Sequence, residues 1–136
     1  MPARTVFLCR LLGLYLLLMG LAIVTHAEAT VLKVSELAHN TPVLLLWSSI
    51  ALAAGLAMVL AHNVWSGGAA GSLVTVIGWI ILIKALLLLF LPTTVMMGFV
   101  GFFAFAHLID VYAAIAIVVG GFLTFAGFRA PVNSVR

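Results

Sequence analysis

Lys84, His107 and Asp110 are the residues of this chain whose types and spacing could do chemistry together. His107 stands three residues before Asp110, which puts the two on one face of a helix. Lys84 is isolated, with 47 uncharged residues between it and Glu36 and 25 between it and Asp110. An ammonium, an imidazole and a carboxylate held at membrane depth could relay a proton or an ion, or grip a polar ligand. The simpler reading of the same three residues is a structural ion pair, or side chains that snorkel to the interface. A nucleophile set beside a base, as acyl or phosphoryl chemistry needs, is missing, and only three carboxylates are present. The sequence therefore assigns no catalytic residue, and an enzyme is not expected.

His62, Asn63 and Trp65 form a second candidate, a loop motif able to dock a partner. The triplet Ala61-His62-Asn63 echoes Ala38-His39-Asn40 at the other end of the intervening apolar run, and both can supply polar caps. The four histidines invite a haem or metal, but a haem in a helical bundle needs two imidazoles at matched depth. His26, His39 and His107 fall toward one face of the membrane and His62 toward the other, so neither metal nor cofactor is expected. The single cysteine, Cys9, excludes an internal disulfide.

These side chains must be positioned by an unusually apolar chain. Of its 136 residues, 66% are hydrophobic and 7% charged, against roughly 45–50% and 25% in soluble domains. That excludes a soluble enzyme and a disordered tail. Six Lys/Arg against three Asp/Glu give a net charge of +3 with no basic patch, which excludes a nucleic-acid partner. A bilayer core needs roughly 20 apolar residues as helix, and the uncharged runs supply four spans: Val6–Thr25, Pro42–Ala61, Ser72–Leu91 and Ala106–Phe128. The runs are Leu- and Ala-rich and lack the alternation of a barrel strand. The expected fold is an all-α integral membrane four-helix bundle, one transmembrane domain over residues 1–136.

Pro42 suits a first helical turn, Ser66-Gly67-Gly68 and Gly71 supply turn chemistry, and Pro92 and Pro131 act as stops. Arg4 and Arg10 precede the first span while Arg129 and Arg136 follow the last, so the positive-inside bias puts both termini in the cytoplasm. The segment His26–Thr41 then faces outward as a solvated loop or surface helix carrying Glu28, Lys33 and Glu36. Two alternatives accompany this plan. Arg4 and Arg10, the apolar Leu11–Val24 and Ala27-Glu28-Ala29 also fit a cleavable signal peptide, although Val6–Cys9 extends the run to spanning length. The apolar Val95–Phe105 fits a short interfacial or re-entrant helix before the last span, or else the third and fourth helices project past the lipid.

Small residues recur at helical spacing: Gly13 and Gly20; Ser49, Ala53, Ala57 and Ala61; Ala116, Gly120 and Thr124 with Gly121 adjacent. They predict a tight bundle and contact with other membrane proteins or further copies of the chain. The stretch His62-Asn63-Val64-Trp65-Ser66-Gly67-Gly68, then Gly78-Trp79 and Lys84, resembles a group of small bacterial inner-membrane proteins with four spans. The resemblance covers about a third of the chain and implies a bacterial inner-membrane location, but carries no activity to transfer. The size and four-span layout are also similar to DoxX-like membrane proteins, a likeness of shape only. The expected role is a non-enzymatic accessory or interaction subunit; the alternative is a small ion- or proton-coupled transporter built on Lys84 and Asp110.

Overall fold

The helices stop where the apolar runs are interrupted. In a computed structural model, which describes residues 2–65, 68–91 and 105–130 with the side chains of residues 38 and 105–107 excepted, five helices follow one another. They are α1 (Ala3–Thr25), α2 (Ala27–His39), α3 (Thr41–Ala61), α4 (Ala69–Phe90) and α5 (Phe105–Arg129). The four expected spans match α1, α3, α4 and α5 to within three residues at every end. The expected helix at Val95–Phe105, the stops at Pro92 and Pro131 and the His107 side chain lie outside the described residues.

Local chemistry accounts for the boundaries. Pro42 sits in the first turn of α3, and the Asn40 side chain caps it by accepting from the Val43 N–H at 3.3 Å. Gly68 leads into α4 with φ of +89°, a left-handed conformation that glycine adopts without penalty. The segment between the first two spans forms a helix, α2, rather than a loop. Glu28 in its first turn and His39 in its last complement the helix dipole, and it lies across the ends of α1, α3 and α5.

The spans form two antiparallel pairs, α1 with α5 and α3 with α4. No hydrophobic force drives helices together in lipid, so close van der Waals fit must do so. A side-chain carbon on Gly13 would lie 2.5 Å from the Thr124 backbone nitrogen, and one on Gly120 would lie 2.7 Å from that of Leu17. The two glycines thus let the α1 and α5 backbones touch. Gly55 does the same for α3 against Leu82 of α4. The pairs meet at the end where α1 begins and α5 finishes, the terminal end. There Cys9 and Leu12, Ala70 and Val74, and Leu123 make a buried cluster from three helices.

One of the small-residue stripes is not used in this way. Gly13, Gly20 and Gly120 are buried, but Ser49, Ala53, Ala57 and Ala61 are all exposed. The face that α3 turns to α4 carries Leu44, Ser48 and Gly55 instead. Within the apolar 18-residue stretch of each span no more than 28% is buried inside the chain, and all four helices are long and apolar enough to cross a membrane. The apolar surface therefore faces outward, with side chains such as Leu60, Phe90 and Val118 exposed. The chain is a multi-pass membrane protein, an all-α bundle of four spanning helices.

The α1–α5 contact can be tested on adjacent residues. Gly120→Ala should lower stability in detergent by about 1–3 kcal/mol through overpacking. Gly121→Ala should be nearly neutral, because its new carbon meets only Leu17 Cδ2 at 4.0 Å. Thermal unfolding of the two variants checks this; equal effects would contradict the packing.

Candidate functional site: an apolar groove and a pinned loop

Because α1 pairs with α5 and α3 with α4, a gap remains between α1 and α3, floored by α4. It is a groove of about 1030 Å³. Its α3 wall, from Trp47 to Ala61, runs for about 21 Å of helix. Ala51, Ala54, Ala57 and Ala61 keep that wall low, while Phe7 and Tyr15 stand on the α1 side. The lining is apolar except at Lys84 and, at the terminal end, Arg4.

Lys84 lies six residues before the end of α4, about 9 Å along the helix axis. A charge at the centre of a span costs about 2.5–3.5 kcal/mol on insertion scales, less toward the interface. The neighbouring Ala85 is buried, whereas Lys84 is exposed along the groove. Asp110 is exposed on α5 and is not part of the groove. No ion pair forms among the described residues, so Lys84 and Asp110 are not bridged within one chain. The reason is the helix pairing: α4 and α5 touch little, each being committed to another partner. Ile109, beside Asp110, is buried, which leaves the carboxylate on the outer side of α5.

The loop motif divides into two parts. His62 is buried, with its ring nitrogen 3.4 Å from the Gly71 carbonyl oxygen of α4. Asn63 and Trp65 are exposed, and the indole N–H donates to the Asn63 side-chain oxygen at 2.8 Å. Thr75 holds the loop to α4: its hydroxyl accepts from the Val64 N–H at 3.2 Å and lies 3.0 Å from the Val64 carbonyl as a donor. Ser72 adds a bond to the Trp65 carbonyl at 3.2 Å. His62 thus serves the fold, while Asn63 and Trp65 form a hydrogen-bonded pair open to the surface. Thr75 carried no signal in the sequence, since its role depends on a loop eleven residues away in the chain.

The terminal end has its own polar contact. The last carbonyls of a helix have no partner within it, and the Arg10 Nε donates to one of them, Gly127 O, at 2.8 Å. Its guanidinium also sits 4.9 Å from the centre of the Phe128 ring, and that of Arg129 sits 4.4 Å from the centre of Phe125. A side chain on Gly127 would come within 2.9 Å of Arg10 Cγ, so the glycine makes room for the arginine. The repeat Gly120–Gly127 matches Gly13–Gly20 in spacing, a signal readable in the sequence. His26 and His39 flank α2 at the distal end, away from His62. Among the described residues no three His, Cys, Asp or Glu side chains come together as metal ligands would.

Comparison with protein-family models, with curated proteins and with solved structures found no match to the chain.

Thr75→Val keeps the side-chain volume and removes the hydroxyl. Leaving the Val64 N–H without its partner should cost about 1–3 kcal/mol. Hydrogen exchange should then quicken at Val64 and Trp65 but not in the middle of α4. Unchanged protection at Val64 would show that the loop is held by other means.

Proposed function

We propose that the chain is a non-enzymatic accessory or interaction subunit of a bacterial inner membrane, and that it works by helix association. The observation that supports this most is the open groove between α1 and α3, bordered by an alanine-rich helix face that the bundle itself leaves unused. Small residues matter in lipid because they let a second backbone approach closely. Ala57 and Ala61 belong both to the exposed stripe and to the groove wall. The surface thus has the character of an interface without its other half.

The cytoplasmic placement of both termini rests on the cations. Arg4, Arg10 and Arg129 gather at the terminal end, and positive charge marks the cytoplasmic side. Retention of α1 as a span rests on packing: cleavage after Ala29 would remove Cys9, Leu12 and Gly13 from the core they share with α4 and α5. The alternative, a small ion- or proton-coupled transporter, draws on a single feature, the Lys84 ammonium on the groove floor.

Purification from native membranes in mild detergent, with mass spectrometry of what accompanies the tagged chain, tests the reading. The expected result is a stoichiometric complex with another membrane protein or with further copies, containing an intact 14.4 kDa chain. A solitary monomer that drives ion flux in vesicles, with flux abolished by Lys84→Met, would replace it with the transporter.

A further inference from the structure

The groove and the outer face of α5 match each other in three respects. The first is charge. The groove's two charged residues, Lys84 and Arg4, are both cations. The chain has three carboxylates, and Glu28 and Glu36 are on α2, so Asp110 alone lies on a spanning helix. The Lys84 ammonium and the Asp110 carboxylate are each left unpaired by the fold among the described residues.

The second is depth. Lys84 lies six residues before the end of α4, and Asp110 five residues after the start of α5, at the same distal end. At 1.5 Å per residue these are about 9 Å and about 8 Å. Gly20 packs against Ala113 and Ile117, so Asp110 lies level with the last turn of α1, somewhat nearer the distal end than Lys84, whose long stem can extend toward that end. Copies of one chain share an orientation in the membrane, so this relation carries over from one copy to the next.

The third is shape. Asp110, Ala114 and Gly121 follow one another at spacings of four and seven along α5, which places them on one face. Ala114 is exposed, and Gly121 has open room beside it, with Leu17 Cδ2 at 4.0 Å as the nearest atom to an added carbon. The facing wall of the groove is built from Ala51, Ala54, Ala57 and Ala61. Small surfaces on both sides permit backbone contact.

We propose that a second copy of this chain lays the Asp110–Ala114–Gly121 face of its α5 into the α1/α3 groove, so that its carboxylate pairs with Lys84 across the interface. The proposal rests on the helix-association reading above and names the partner. The contact joins two different surfaces, so a pair of copies still offers one free groove on one copy and one free α5 face on the other, and further copies can add until a ring closes. At the other end of the groove, Arg4 lies toward the C-terminal half of the docked helix. The carbonyl groups there attract cations, as Gly127 attracts Arg10 within one copy.

The test uses two differently tagged full-length chains expressed together, both carrying Cys9→Ala. One bears Ala57→Cys in the groove, one turn below the level of Lys84, and the other bears Ala114→Cys, one turn below Asp110. Oxidation in the membrane should join the two tags. A chain with Leu60→Cys, on the exposed side of α3 away from the groove, should join at least tenfold less. Lys84→Asp or Asp110→Lys alone should reduce the yield about tenfold, and the two together in one chain should restore it. Lys84→Met and Asp110→Asn give the same comparison with milder changes, and thermal unfolding confirms that each variant is folded. Equal yields from the groove and control positions, or yields indifferent to the charge substitutions in folded protein, would overturn the proposal. Recovery of a stoichiometric complex with a different membrane protein would overturn this choice of partner and leave the helix-association reading standing. A solitary monomer would overturn both.

Discussion

The backbone contact between α1 and α5 is the constraint on which the rest of the bundle depends. Lipid tails solvate a leucine as well as another leucine does, so burying apolar surface gains little, and association rests on fit. Gly13 and Gly120 remove the side chains that would hold the two helices apart. Once α1 and α5 are paired, α3 and α4 are left to each other, and Gly55 against Leu82 makes that second pairing similarly close. The cluster of Cys9, Leu12, Ala70, Val74 and Leu123 then joins the pairs at one end only.

The buried cluster at the terminal end joins α1 and α5 to α4 and holds no buried residue of α3. The space between α1 and α3 therefore remains open, from Ala3 and Ala61 at the terminal end to Tyr15 and Trp47. Lys84 is placed along it because the turn of α4 that buries Leu82 and Ala85 leaves Ile83 and Lys84 exposed, and of these two Lys84 lines the groove. Asp110 is kept away for the complementary reason. The face of α5 that buries Ile109, Ala113 and Leu123 is committed to the bundle, and Asp110 lies off it. Opposite charges in one chain are separated by packing rather than by sequence distance.

Polar groups are spent mainly on finishing helices. Asn40 caps α3, Arg10 serves a carbonyl of α5, and Thr75 and Ser72 tie the loop after α3 to α4. Each answers a backbone group that lipid could not satisfy. Lys84 and Asp110 have no such task among the described residues, in contrast to the charged Arg10, and that makes them the charged residues on which a functional reading can turn.

Much of this was legible beforehand. The uncharged runs located α1, α3, α4 and α5, Pro42 marked the first turn of α3, and the Gly13–Gly20 spacing marked a packing face. These are properties of short stretches of chain, where length, apolarity and turn chemistry act locally, and so the membrane, the helical class and the span limits were determined by sequence alone. Which helices pair was not legible, nor that Ser49, Ala53, Ala57 and Ala61 would be left exposed while Leu44, Ser48 and Gly55 face inward. In lipid every apolar face is an acceptable outer face, so hydrophobicity does not choose among pairings, and differences of a few tenths of an ångström in fit between whole surfaces do. Only the tertiary structure could decide that choice, and with it the groove, the place of Lys84 within it and the separation of Lys84 from Asp110.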